Sequence, residues 1–237
     1  MTLPKPEKPT FLELAKQALT STERGYDLLS TKFEATPFRT PDEVLVPSVS
    51  DLGEVDDALD LCTGTGAALV ALRPFVRRRM VGVDFSRGML DEAKRRLEAA
   101  PGRAAFELVQ KDVFGVDYED AFDLVTCFGA FGHILAEAEP AFVAIVRKAL
   151  RPGGRFVFVT TERPSPWSRA SLLGHGFNAA MRLRNALVSP PFLMYYLTFL
   201  LPDCERLLRW NGFDVRVDRD MFPKPFAPFV RVVATRR

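Results

Sequence analysis

From residue 58 to residue 160 the chain alternates short apolar runs with longer segments whose apolar residues recur every three or four positions. The short runs predict strands, and the periodic segments predict helices. The predicted strands are 58–61, 80–83, 105–109, 122–128 and 155–160, and the predicted helices are 67–75, 87–100 and 140–150. Such alternation indicates a parallel sheet with helices on both faces and a ligand at the carboxyl ends of the strands.

The two ends of the chain depart from this alternation. Residues 1–57 predict a helical N-terminal extension, with helical spacing over 11–29. A short helix is predicted at 41–49, with Thr40 as its cap. Residues 58–237 then form one domain, interrupted by an insertion at about 162–201.

After the insertion, a helix at 203–210 is followed by two predicted strands at 213–219 and 229–235. The spacing of these last strands favours an antiparallel pair. Two short motifs are interpreted structurally: Arg77-Arg78-Arg79 as a solvated helix end, and the turn at 151–154 as the element that aims the fifth strand.

The most informative motif follows the first strand: Leu59-Asp60-Leu61-Cys62-Thr63-Gly64-Thr65-Gly66. Gly64 and Gly66 allow the backbone to approach a ligand where a Cβ atom would clash. Asp60, at the end of the strand, is placed to hold a positively charged group. Asp84 ends the second strand, eighteen residues after Gly66. An acid at this spacing in a βαβ unit is placed to bind two ribose hydroxyls.

These motifs resemble those of the class I S-adenosylmethionine-dependent methyltransferases, whose first motif usually runs Leu-Asp-Leu-Gly-Cys-Gly-Thr-Gly. Here Cys62 stands at the first glycine, and Thr63 stands before the second. The alternative is a nicotinamide or flavin fingerprint, Gly-x-Gly-x-x-Gly, which requires glycine or alanine where Leu69 stands. A plain βα turn with incidental glycines is the third interpretation.

The resemblance implies an enzyme with a Rossmann-like, doubly wound sheet of seven strands, mostly parallel with the last antiparallel, and helices on both faces. It implies S-adenosyl-L-methionine as cofactor. In the family, Asp112 would accept a hydrogen bond from the adenine amino group, and Val113 and Met89 would pack on the ring. Met89 is explained equally well as a core residue. The alternative for Asp112 is a loop aspartate at a turn. The implied cofactor-binding residues are Asp60, Cys62, Thr63, Gly64, Thr65, Gly66, Asp84, Phe85, Met89, Asp112, Val113, Cys127 and Phe128.

Methyl transfer requires the protein mainly to align the nucleophile and to exclude water. A general base is needed only when the nucleophile arrives protonated. His133 is the candidate base, because it follows the fourth strand, where the family places the reactive end of the cofactor. The competing explanation is a histidine that binds a backbone carbonyl group. No metal-ligand pattern is present in the sequence.

Composition narrows the class of protein. The chain has 237 residues, with 32 basic and 30 acidic side chains, which gives no case for a nucleic-acid-binding face. Its three cysteines have long spacings that build neither a disulfide framework nor a zinc site, so a reduced, cytoplasmic protein is expected. The N-terminus lacks the apolar segment of a signal peptide, and the apolar stretch 186–201 is too short and proline-broken to span a membrane.

The insertion is aromatic and apolar, with arginines at positions 169, 182 and 184. Such a segment can cap an apolar pocket, pair with a second subunit as a homodimer, or touch a membrane surface. Its position beside the expected reactive end of the cofactor favours a lid. The predicted function is methyl transfer to the oxygen or nitrogen of a small, partly apolar acceptor. The rivals are a nicotinamide-dependent oxidoreductase and a non-catalytic S-adenosylmethionine-binding protein.

Overall fold

The computed structural model describes residues 7–36 and 38–237. The N-terminal region forms α1 (Phe11–Ala18), α2 (Thr22–Leu29), a 3-10 segment (Ser30–Ala35) and α3 (Asp42–Ser50). A capping box starts α1: the Thr10 side chain accepts from the Glu13 N–H, and the Glu13 carboxylate accepts from the Thr10 N–H. The predicted Thr40 cap is wrong, because α3 begins after Pro41 without a side-chain capping bond.

Seven strands and five further helices follow. The strands are β1 (Val55–Leu61), β2 (Val76–Asp84), β3 (Ala105–Gln110), β4 (Phe122–Thr126), β5 (Leu150–Thr161), β6 (Phe213–Asp218) and β7 (Phe229–Arg236). The helices are α4 (Ala67–Leu72), α5 (Arg87–Ala99), α6 (Glu139–Ala149), α7 (Arg169–Leu187) and α8 (Asp203–Trp210). The insertion carries one long helix, α7.

The strands form a single sheet in the order β3-β2-β1-β4-β5-β7-β6. β7 lies antiparallel between β5 and β6, and the remaining neighbours are parallel. This confirms the predicted seven-stranded fold with an antiparallel last strand. The strand order reverses between β1 and β4, and in such sheets the crevice at the reversal point is where ligands bind.

Both faces of the sheet are covered, because successive side chains of a strand point to opposite sides. On β1, Leu59 and Leu61 pack in one buried cluster with residues of α6 and α8, including Phe142 and Leu208. Ala58 packs in a second cluster on the other face with residues of α4 and α5. The alternation holds all these side chains out of water and leaves the carboxyl ends of the strands free for a site.

Two short motifs have other roles than predicted. Arg77-Arg78-Arg79 lies within β2 and does not end a helix. There Arg78 and Arg151 both pair with Asp57, a carboxylate that is only 1% exposed. The 151–154 segment is part of β5 and forms an irregularity in its pairing with β4. The backbone still turns at Gly153, whose φ is +79°.

Candidate active site

A pocket opens at the carboxyl ends of β1, β2 and β4, where the strand order reverses. Its floor is the glycine turn after β1, and its far wall is the N-terminal region. The residues that line it are Tyr26, Phe33, Phe38, Arg39, Thr40, Leu45, Asp60, Cys62, Thr63, Gly64, Thr65, Ala67, Ala68, Asp84, Phe85, Met89, Phe128, Gly129, Ala130 and His133. Ten of the predicted site residues therefore share one cavity.

The glycine turn has the conformation that its sequence requires. Cys62, Gly64 and Gly66 have φ values of 55°, 53° and 75°. Cys62 thus keeps the left-handed backbone at a position where the family usually has glycine, at a strain cost of about 1–2 kcal/mol. A Cβ atom added to Gly64 would meet nothing within 4 Å, so the pocket is open at this point. Glycine is favoured at position 66 for a different reason, because an added Cβ would lie 3.0 Å from the Ala93 Cβ.

Asp84 is a buried carboxylate at the end of β2. Its Oδ2 accepts from the Gly64 N–H at 2.8 Å, and its Oδ1 accepts from the Ser86 N–H at 2.9 Å. Burial raises the pKa of Asp84 to about 6, against the lowering effect of these two bonds. The carboxylate lines the pocket without a cation beside it in the described residues, so it has unused acceptor capacity for hydroxyl groups.

Asp60 stabilises the glycine turn through hydrogen bonds from the buried side. Its two oxygens accept from the hydroxyl groups of Thr63 at 2.6 Å and Thr126 at 2.7 Å, which ties the turn to the end of β4. The sequence expectation of a positively charged partner for Asp60 has no counterpart among the described side chains. Burial raises the pKa of this carboxyl to about 7, because two hydroxyl donors only partly replace its hydration.

This pKa predicts a pH-dependent stability. Between the ordinary aspartate pKa of about 4 and the folded value of about 7, the folded state holds the proton more tightly. The free energy of unfolding should therefore fall as pH rises through this range, by about 2–4 kcal/mol from this group. Asp60→Asn has no carboxyl group to titrate and should not lose this stability. The free energy of unfolding of Asp60→Asn minus that of the wild type, measured by chemical denaturation, should therefore grow from pH 5 to pH 8. An equal stability difference between variant and wild type at both pH values would contradict the raised pKa of Asp60.

The N-terminal region closes the pocket, which the sequence did not reveal. Tyr26 of α2 lies in the wall with its ring edge against Phe33 and Phe85. Asp27 accepts from the Ser86 hydroxyl at 2.6 Å and from the Gly88 N–H at 2.9 Å, at the start of α5. The only signal for this contact in the sequence is the acidic Asp27 beside Tyr26, and no local sequence pattern assigns a partner to that acid.

A second tie joins the N-terminal region to the glycine turn. The Thr65 hydroxyl donates to Glu34 at 2.5 Å, and Arg96 of α5 pairs with the same carboxylate. Arg39 contributes a further ion pair to Glu34, with its Nε 2.7 Å from Oε2. These side chains are all at most 17% exposed, so the pairs are shielded from solvent and hold the wall against the turn.

His133 lies at the pocket with both ring nitrogens engaged. The Tyr26 hydroxyl is 2.8 Å from Nε2, and Nδ1 contacts the Leu193 carbonyl oxygen. A carbonyl only accepts, so Nδ1 carries the proton, and Nε2 accepts from Tyr26. Burial lowers the pKa of His133, so the ring is neutral at pH 7. The alternative of a carbonyl-binding histidine is therefore observed, together with a hydrogen bond from Tyr26.

Four predicted cofactor residues lie outside the pocket lining. Gly66 packs against α5, and Asp112 is exposed and accepts from the Phe114 N–H at 2.8 Å. Val113 and Cys127 are buried in the core cluster below. The Cys127 thiol contacts Cys62, and this contact together with burial raises the pKa of Cys127 well above its usual range. The adenine contacts of Asp112 and Val113 stay predictions.

Comparison with known proteins places this site in a family. A family model described as a methyltransferase domain matches residues 58–154, which include β1 to the start of β5 and both acidic strand ends. Residues 58–154 therefore match a methyltransferase domain, which supports a class I S-adenosylmethionine-dependent methyltransferase. S-adenosylmethionine is the cofactor of this family, and the prediction of family and cofactor class is confirmed. The dinucleotide fingerprint and the incidental turn are thereby excluded as interpretations.

The individual relatives are distant in sequence. A ubiquinone/menaquinone biosynthesis C-methyltransferase of Desulfotalea psychrophila is 33% identical over 144 residues, 59% of this chain and 55% of that protein. A demethylmenaquinone methyltransferase of Symbiobacterium thermophilum is 28% identical over 174 residues, 72% of this chain and 58% of that one. The chain thus spans little more than half the length of these relatives.

A solved structure shares the fold over nearly the whole chain. The complex of DhpI with SAH has a TM-score of 0.63 and 20% sequence identity, and the match covers 95% of this chain and 98% of that one. At this identity the likeness concerns the fold. Among the described residues, no helix is long and apolar enough to cross a membrane.

Proposed function

We propose that the chain binds S-adenosylmethionine in the pocket and transfers its methyl group to a small acceptor with an apolar body. The observation that carries the proposal is Asp84: a buried carboxylate, without a cation beside it in the described part of the chain, that faces the cavity above an open glycine turn. A ligand with neighbouring hydroxyl groups supplies the donors that this carboxylate lacks.

The residues of the pocket fit the rest of that cofactor. The open space at Gly64 gives a ligand close access to the backbone. Tyr26, Phe33, Phe38 and Phe128 present aromatic rings to the cavity, and aromatic faces attract cations such as a sulfonium group. Asp60 and Asp84 add negative charge when ionised. The pocket therefore favours a ligand that combines hydroxyl groups with a positive centre.

When bound, the cofactor supplies an already activated methyl group. The chain itself therefore has to position the acceptor against the cofactor and to exclude water. Asp84 would hold the ribose, and Gly64 would lie against the cofactor. Phe85 and Met89, which line the pocket beyond Asp84, would pack on the adenine. The rings of the N-terminal wall shield the reacting end from solvent, which strengthens every electrostatic interaction inside.

His133 and Tyr26 form the acid–base pair of the proposal. For a hydroxyl acceptor, Tyr26 takes the acceptor's proton while its own proton passes to Nε2 of His133. The Leu193 carbonyl stabilises the resulting imidazolium through Nδ1–H. An acceptor that arrives without a proton to lose needs neither residue.

This pair predicts a pH dependence of turnover. Because burial lowers the pKa of His133, the rate with a hydroxyl acceptor should be level above the ordinary histidine pKa of about 6.5 and should fall only at lower pH. His133→Gln and Tyr26→Phe should lower kcat by roughly 10²–10⁴ with little change in cofactor affinity. Tyr118→Phe, which alters a half-buried tyrosine packed on Phe122 away from the pocket, is the matched control. A Tyr26→Phe variant with wild-type kcat would exclude the relay.

The lid prediction for residues 162–201 becomes part of the proposal, with narrower bounds. A bridge between Glu162 and Leu201 closes the segment at its base. Residues 192–196 lie against a wall of the pocket: the Tyr195 N–H donates to the Gly132 carbonyl at 2.7 Å, next to His133, which lines the pocket. Phe199 and Leu201 are buried in the sheet's core, so a movable part would end before them. We propose that residues 192–196 shape the acceptor side of the pocket.

The proposed function is tested with the cofactor and a panel of acceptors. Calorimetry should show binding of S-adenosylmethionine or its demethylated product at micromolar affinity, on the order of −8 kcal/mol. Label from the cofactor's methyl group should enter an apolar product when reduced quinones and aromatic hydroxy compounds are offered, the former because two relatives carry quinone names. Binding of NAD with no heat from either sulfur ligand would overturn the proposal, and binding without transfer to any acceptor would favour a sensor.

A further inference from the structure

Helix α7 turns two asparagine side chains inward beside the half-buried Phe177 and Met181, and it turns four leucines outward. The amide of Asn178 bonds the backbone of Tyr196, and the amide of Asn185 bonds the backbone of Phe192. The buried positions of the helix are Ser171 and Gly174. A surface helix of a protein in water normally has the opposite arrangement.

The outward face carries a continuous apolar stripe. Leu172, Leu173, Leu183 and Leu187 are 57%, 74%, 62% and 75% exposed. Exposed small residues fill the positions between them: Gly176, Ala179, Ala180 and Ala186. Trp167 stands just before the helix and is 87% exposed. No described residue covers this stripe, and a contiguous apolar surface of this kind marks an interaction site.

Charge around the stripe has one sign. Residues 163–202 contain four arginines and neither aspartate nor glutamate, in a chain with 30 acidic residues. Arg169 and Arg182 on α7 are exposed. Their side chains make no ion pair with a described acid. The outer face of α7 is therefore apolar and cationic together.

The stripe lies on the pocket side of the molecule. Residues 188–200 run between α7 and the pocket: Leu197 packs beneath Gly174, and Leu193 and Tyr195 contact His133 and Gly132. Arg184 at the other end of α7 donates to the Thr20 carbonyl between α1 and α2. A surface that rests against α7 therefore lies outside the segment that contacts His133 and Gly132.

We infer that α7 docks on an anionic lipid membrane. Leucines on one face, flanking arginines and a terminal tryptophan suit the boundary between headgroups and acyl chains. The negative charge of such lipids attracts the exposed side chains of Arg169 and Arg182. A symmetric dimer through α7 would instead bring this cationic face against its own copy, which is unfavourable because the same surface meets itself. The helix lies on the membrane and does not cross it.

Vesicle flotation of the full chain tests this inference. The chain should float with vesicles of phosphatidylcholine and phosphatidylglycerol, and much less with phosphatidylcholine alone. Leu173→Gln with Leu183→Gln should weaken binding at least about tenfold. Arg169→Gln with Arg182→Gln should do so by about tenfold, on the anionic vesicles only. Cofactor binding and the unfolding midpoint of each variant show that it is folded.

Trp210 supplies the matched control and a reporter. It is 91% exposed at the end of α8, where it lines a separate surface cavity with Gly212 and Arg236. Trp210→Gln should float like the wild type. Trp167 is then the single tryptophan, and its emission should move to shorter wavelength when anionic vesicles are added. In Trp167→Gln, the emission of Trp210 should not move.

Two results would overturn the inference. One is a folded wild-type chain that does not float with anionic vesicles. The other is self-association in sedimentation velocity that Leu173→Gln with Leu183→Gln abolishes while flotation is absent, which would assign the stripe to a second copy. Neither measurement depends on methyl transfer, so the result is independent of the proposed activity.

Discussion

Replacement of Asp84 by alanine should weaken binding of the demethylated cofactor product by about 100-fold, measured by calorimetry. The carboxylate is placed to accept two ribose hydroxyls, and hydrogen bonds to a charged group contribute about 1.5–3 kcal/mol each. The loss also frees the Gly64 and Ser86 N–H groups, which now donate to Asp84. Turnover should disappear at cofactor concentrations that saturate the wild type.

Two variants make this result specific. Asp84→Asn keeps the shape of the side chain and one acceptor oxygen, so its affinity should lie between those of the wild type and the alanine variant. Asp56→Ala removes an acid that pairs with Arg77 and lies far along the strands from the pocket, and it should bind normally. A dissociation constant unchanged in Asp84→Ala would show that this carboxylate does not touch the ribose.

Gly64→Leu should abolish cofactor binding while the fold is retained. The backbone at Gly64 is left-handed, and a Cβ added there meets no protein atom within 4 Å. The leucine side chain would therefore enter the space reserved for the ligand. We expect affinity to fall by more than about 100-fold, because a well-packed ligand cannot yield that volume.

Gly53→Leu separates this effect from backbone strain. Gly53 also has a left-handed backbone, with φ of 75°, and open space at its Cβ, but it lies before β1 and outside the pocket lining. Both variants should lose about 1–2 kcal/mol of stability in denaturant titration from the same strain. Only Gly64→Leu should lose binding. Equal affinities in the two variants would place the cofactor elsewhere.

The sequence alone was sufficient to predict the central sheet and the glycine turn after β1. The βα alternation predicted the sheet because buried strands and amphipathic helices have different periods. The spacing from Gly66 to Asp84 predicted an acid beside the ligand site, and Asp84 does lie at the glycine turn, where it bonds Gly64, because parallel strands end at the same edge of a sheet. Cys62 in place of glycine did not change the turn, since the surrounding structure imposes its left-handed backbone.

Local interpretation was less reliable where a pattern admits two structures. Arg77-Arg78-Arg79 suits a helix end and a strand equally well by charge. It became part of β2 because Asp57, buried on the neighbouring strand, needs cations beside it. A buried carboxylate without such partners is costly, and that demand comes from the packed sheet and not from the arginines themselves.

Only the tertiary structure decided what closes the site. Tyr26 and His133 are 107 residues apart, and Leu193 lies a further 60 residues along the chain, so no periodicity or motif links them. The exposure of the α7 leucines likewise cannot be predicted from the sequence, because leucines in a helix are typical of a core until the fold shows which side is buried. Strand spacing fixes contacts within the sheet, whereas contacts between the ends of the chain depend on how separate layers pack upon it.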